Sequence, residues 1–129
     1  MARSKFYRVN IKPIPWQRPF LREKTFFDNQ KREKLAFGIF LQQQHDDEPL
    51  FGKPISVDIT FFMATPRSVK DRTGRPQHAT RPDIDNLCKF VLDAIKNVLI
   101  TDDKIIWSLS AKKLYDKQPR TEIVIAEVE

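Results

Sequence analysis

The stretch Arg81–Lys104, RPDIDNLCKFVLDAIKNVLITDDK, decides how the rest of the chain is read. At about 100° per residue, Leu87, Phe90, Val91, Ala94, Ile95 and Val98 share one face. Asp85, Lys89, Asp93 and Lys96 lie opposite, and the pattern predicts an amphipathic helix over 83–99. Pro82 suits a helix start and biases Arg81 towards extended backbone. Asp83 stands where an N-cap belongs, and Asp85 falls in the first turn, where the helix dipole favours anions. Lys89 follows Asp85 by four residues, close enough to pair with it. Cys88, Leu92 and Leu99 widen the apolar arc, so the helix needs more than one packing neighbour. A second subunit is the simplest candidate.

Two readings of the acidic residues stand side by side. In one, Asp83 is a cap, Asp85 and Lys89 are a surface pair, and Asp102–Asp103 is a turn. In the other, the carboxylates gather around a cation. Hard Mg²⁺ ions take oxygen ligands and keep several waters, so two or three carboxylates suffice. The helix would span roughly 24 Å at 1.5 Å per residue. Asp102 or Asp103 therefore reaches Asp83 only if a following strand, of this chain or of a partner, carries it back.

This stretch resembles the signature of the RusA family of Holliday junction resolvases. The family pattern is a D-[IL]-D-N-L-x-K helix, an acidic pair and a hydrophobic strand, here RPDIDNLCKFVLDAIKNVLITDDKII. AKKLYDKQPRTEIVI is similar to the family's basic, tyrosine-containing hairpin, and PIPWQRPF more loosely to its opening. Together these cover about residues 6 to 128, and the motif is dense only after His78. The resemblance implies a RusA-like, dimeric α+β domain that hydrolyses branched DNA with Mg²⁺. It puts catalytic, metal-binding carboxylates on Asp83, Asp85 and Asp103, a catalytic lysine on Lys89, and a lesser role on Asp102. Where some members carry a run of arginines, this chain has PRSVKDRTGRPQHATR.

The remaining chain is consistent with such a domain. Its 129 residues, 40% hydrophobic with ten phenylalanines, suit one packed domain over 1–129. A single cysteine excludes an internal disulfide framework, and neither a signal peptide nor a span of about 20 apolar residues is seen; a cytoplasmic protein is expected. Net charge is +6 and the pI near 9.6, which suits a polyanionic partner.

Alternation over Phe6–Ile11 predicts a first strand, and Pro13, Pro15 and Pro19 then predict irregular structure through PIPWQRPF. Trp16 among Arg18, Arg22 and Lys24 can stack on bases or cover the core. Asp28 is placed to cap a helix to about Gln44, with Leu35, Phe37, Ile39, Phe40 and Leu41 apolar and Gly38 costing about 1 kcal/mol relative to Ala. His45-Asp46-Asp47-Glu48 reads as a solvated connection. Ile55–Met63 alternates strictly and is the clearest strand. The basic stretch 66–81, with Arg67, Lys70, Arg72, Arg75 and Arg81, is long for a compact domain and reads as a flexible, phosphate-gripping loop. Ile105–Tyr115 and Thr121–Val128 predict two strands joined as a hairpin made basic by Lys112, Lys113, Lys117 and Arg120. The expected order is βαβαββ, a mixed sheet packed with helices.

The composition and carboxylates support a divalent metal and a phosphate-bearing partner; junction resolution comes from the resemblance. A nuclease for flaps or forks, and a DNA-binding protein without catalysis, are the alternatives.

Overall fold

The computed structural model describes residues 2–22, 25–27, 29–66 and 76–128. Strand β1 covers Ser4–Val9, β2 Phe20–Arg22 and β3 Thr25–Phe27; helix α1 covers Lys31–His45 and strand β4 Ile55–Ala64. Helix α2 covers Ile84–Ile95, a single 3₁₀ turn Asp103–Ile105, and strands β5 and β6 Ile106–Asp116 and Arg120–Glu127. The fold is α+β with a mixed four-stranded sheet and two helices, as expected. It adds one feature to the βαβαββ order, the short antiparallel pair β2–β3 just after the prolines. Asp28 lies outside the described residues; α1 begins two residues later than its capping would require, with Gln30 at the N-cap.

The sheet order is β1-β6-β4-β5. β4 is antiparallel to β6 on one side and parallel to β5 on the other. The last two strands are therefore not a hairpin, because β4 lies between them. β4 buries Ile55, Val57, Ile59, Phe61 and Met63 on its helix-facing side and needs a hydrogen-bonded neighbour on each edge. Asp116 accepts from the Gln118 amide at 2.9 Å and turns the chain between β5 and β6.

Both helices cover the same face. α1 contributes Phe37, Leu41 and His45 to the interior, while Leu35, Ile39 and Phe40 remain exposed. Phe37 meets Phe90 of α2 edge-on at 5.7 Å, and Gly38 faces Ala94 and Val98. His45 is not solvated: it is buried, its Nδ1 lies 2.6 Å from the Tyr7 hydroxyl, and burial pushes that phenol up to about 12. Such a pair satisfies two polar groups that would be costly to bury alone.

α2 ends four residues before the expected 99. Asn97 adopts φ 65°, the left-handed conformation that closes a helix, and Leu99 and Ile100 then turn inward. Leu87, Cys88, Phe90, Val91, Ala94 and Ile95 are all buried within this one chain, between α1 and the sheet. The wide apolar arc is thus satisfied by two intrachain neighbours, and the argument from that arc to a second subunit no longer holds. No helix among the described residues is long and apolar enough to cross a membrane.

Candidate active site

In the parallel β4–α2–β5 crossover, the start of α2 lies at the C-terminal ends of β4 and β5, and its far end lies at their beginnings. Asp83, Asp85 and Lys89 therefore share one end of the domain with Met63 and with residues 112–116. Asp83 occupies the N-cap position, but its side chain makes no capping hydrogen bond. Asp85 accepts only the neighbouring Asn86 amide, at 2.9 Å. Both carboxylates are exposed. Capping thus does not account for Asp83, whose oxygens stay open to a ligand.

Lys89 does not pair with Asp85. Its ammonium lies 3.7 Å from the centre of the Trp16 indole ring. Trp16 comes from the proline-rich loop, which folds across the start of α2 and donates its own backbone N–H to the Asn86 carbonyl at 2.8 Å. Loop and helix enclose a cleft of about 560 Å³, lined in part by Lys12, Pro15, Trp16, Arg81, Asp83 and Asn86. Lys12 and Arg81 are exposed and have no ion-pair partner among the described residues. The cleft thus joins cationic groups to a carboxylate and an indole, a surface suited to a phosphate backbone.

Lys113 faces inward. Its Nζ donates to the carbonyls of Thr80 and Pro82, each at 2.7 Å, so two of its three donors hold the turn that delivers Asp83. The same segment is zipped to β5: His78 N–H donates to the Lys113 carbonyl at 3.0 Å, and Tyr115 N–H to the Pro76 carbonyl at 2.8 Å. The His78 ring packs on Tyr115 at 4.9 Å, and burial, then the nearby Lys113 charge, lower its pKa below the usual 6.5. Lys112, on the other side of the strand, is exposed. Burial, reinforced by Asp85, pushes the Cys88 thiol above its ordinary range, which leaves it little thiolate. Arg67, Lys70, Arg72 and Arg75 lie outside the described residues.

Asp102 and Asp103 sit at the opposite end. Asp102 accepts the Lys104 amide at 3.1 Å; that bond, and then contact with the Asp103 carboxyl, hold it below the usual carboxylate range. The 12 residues of α2 put roughly 18 Å between this pair and Asp83. β5 starts after Asp103 and carries its other end, not Asp103, back to the motif. No three acidic, histidine or cysteine side chains converge among the described residues of one chain. Within a single protomer, Asp83 and Asp85 share the exposed start of α2 and Asp103 does not join them. As donors the first two fit a hard divalent cation, since both offer uncommitted oxygens one residue apart.

Residues missed in the sequence are Trp16 as the seat of Lys89, Gln30 behind it, and Lys113 as an anchor. Only Trp16 carried a signal, its aromatic ring among prolines and arginines.

The profile described as endodeoxyribonuclease RusA matches residues 10–126. A Bacillus subtilis (strain 168) protein called uncharacterized protein YqaN is 32% identical over 93 residues, 66% of this chain and 66% of its own. The crossover junction endodeoxyribonuclease rusA of Lactococcus phage r1t is 38% identical over 78 residues, 58% of this chain and 56% of its own. The match thus spans just under two thirds of the first relative and just over half of the second.

Proposed function

Since the chain belongs to the endodeoxyribonuclease RusA family, we propose that it is an Mg²⁺-dependent endonuclease that resolves four-way DNA junctions by paired phosphodiester hydrolysis, in recombination and repair. The observation that carries this is the non-capping Asp83 at the mouth of a basic cleft, with Asp85 in the first turn of α2 and Lys89 one helical turn after Asp85. Asp83 and Asp85 hold the ion. When bound, it lowers the pKa of a coordinated water and offsets charge on the phosphoryl group. Lys89 stabilises the extra negative charge of the pentavalent phosphate. Arg81 and Lys112, with Arg67, Lys70, Arg72 and Arg75 of the basic stretch before Arg81, grip the flanking phosphates. Lys113 acts on DNA indirectly, by fixing the turn before Asp83.

Paired cuts need two sites, which a homodimer supplies. β5 is an edge strand, unpaired over 106–112 among the described residues, with Trp107 and Leu109 67% and 44% exposed. Two such edges paired antiparallel about Leu109 set residue 103 of one opposite residue 115 of the other, six positions to either side. That is the end where Lys113 holds Pro82. Each site then takes Asp83 and Asp85 from one protomer and the partner's Asp103.

Mixing tests this directly. Asp83→Asn and Asp103→Asn homodimers should each be inactive on a synthetic four-way junction in Mg²⁺. Their heterodimer, with one intact site, should regain nicking on one strand. Recovery supports the shared site. No recovery, from a heterodimer confirmed by mass, would return Asp103 to a local role. Wild-type cleavage that needs no divalent ion, or ignores junctions in favour of flaps or duplex, would overturn the functional reading itself.

A further inference from the structure

We infer that Trp16 is a positioning residue for the reaction, holding the Lys89 ammonium where the scissile phosphate arrives. This rests on the role given to Lys89 above, and it adds a residue about 70 positions upstream in the chain. A lysine four residues after an aspartate on an exposed helix face would ordinarily lean towards that carboxylate. Paired with Asp85, Lys89 would neutralise a metal ligand and draw its own charge away from the phosphate. Instead the ammonium lies 3.7 Å from the indole centre. Cation–π attraction holds the ammonium over the ring and leaves its hydrogen-bond donors unused. An indole is also the strongest aromatic partner for an ammonium.

The tryptophan is itself held at three backbone points. Its N–H donates to Asn86 in the first turn of α2, the Gln30 side-chain amide donates to the Pro15 carbonyl, and Gln30 Oε1 accepts the Gln17 N–H, each at 2.8 Å. Gln30 is 4% exposed and stands at the N-cap of α1. Pro13 and Pro15 restrict the loop before it folds. Helix α1, the loop and α2 are thus joined through the two residues flanking Trp16, and the indole has little freedom to leave Lys89. A residue that served only to cover the core would require neither this fixation nor a charge over its face.

The test is a double-mutant cycle on junction cleavage at saturating Mg²⁺, with Trp16→Leu, Lys89→Met, the double variant and Trp16→Phe. Trp16→Leu should lower kcat about 2- to 30-fold with KM nearly unchanged, the fold-change corresponding to about 0.5–2 kcal/mol of attraction lost. Trp16→Phe, which keeps a π face, should recover most of it. In the Lys89→Met background, Trp16→Leu should cost nothing more. An equal loss in both backgrounds would show that Trp16 acts on folding or on DNA and overturn the inference. A second readout needs no cleavage: in ε-¹³C-lysine spectra, the indole ring current should shift the Lys89 signal upfield, and Trp16→Leu should abolish that shift. An unshifted signal overturns the contact. Wild-type cleavage by Lys89→Met with the upfield shift present would instead remove the catalytic role of Lys89, and positioning for catalysis with it.

Discussion

Asp83, at the start of α2, and Asp102, seven residues beyond its end, are the same residue type treated in opposite ways. At the far end, Asp102 takes the Lys104 amide, shares its surroundings with Asp103 and completes a 3₁₀ turn. Its carboxylate has a local, structural use. At the near end, Asp83 stands at an N-cap and does not cap, while the loop around Trp16, the turn at Thr80–Pro82 and strand β5 are all tied to the backbone beside it. Where a carboxylate relinquishes the hydrogen bonds that local geometry offers, and neighbouring elements are anchored to hold it so, a ligand is the better account of it.

The sharpest way to break this contrast is to convert each aspartate to asparagine. Asn caps about as well as Asp, so stability should change by no more than about 1 kcal/mol anywhere. Cleavage by the Asp83 and Asp85 variants should fall by at least about 100-fold, because a neutral amide is a poorer ligand for a hard cation. The Asp102 variant should cleave far better than either. Asp93 gives the baseline: it pairs with Lys34 at 3.5 Å across α1 and α2, and Asp93→Asn should cleave normally. Equal activities for all four, by gel assay on a labelled junction, would erase the distinction between the two ends.

The adjacent lysines of β5 sharpen it next. Lys113→Met removes the donor to one exposed and one half-buried carbonyl and should cost about 1–1.5 kcal/mol in urea unfolding, together with lower kcat as Asp83 loosens. Lys112→Ala should leave stability within about 0.5 kcal/mol and instead reduce the log–log salt slope of junction binding by about one unit. Removing Arg67, Lys70, Arg72 and Arg75 together should lower that slope by roughly 3 to 4 units. Identical unfolding midpoints for the two single variants would mean that the inward contact of Lys113 does not stabilise the turn.

The smallest effect concerns His78, packed on Tyr115 beside Lys113 with its Nδ1 unpartnered. Because the folded pKa lies below 6.5, the unfolded chain binds the proton more readily. The contribution of neutral His78 is therefore complete above about pH 6.5 and is lost as pH falls through the folded value. Between pH 7 and 5 the Tm of the natural chain should decline more steeply than that of His78→Gln. Parallel curves by calorimetry would show that the segment is indifferent to this charge.

What the sequence determined by itself was whatever repeats along one element. The alternation of Ile55–Met63 specified β4, the 3.6-residue period specified the buried face of α2, and D-x-D-N with a lysine one turn on gave the site proposed above. The boundaries near Ile95 and Gln30 were less legible, because a left-handed Asn97 and a glutamine N-cap are weak local signals. Pairing was decided only in three dimensions. β4 entered between β5 and β6 because a strand buried on both edges needs two partners, and no turn sequence reveals that. Lys113 became an anchor and Lys112 a solvent residue through the pleat and the position of one remote turn. Lys89 left Asp85 for Trp16 because contacts between residues far apart in sequence depend on how the elements pack, and helical spacing alone states which groups can meet, not which partner offers the lower free energy.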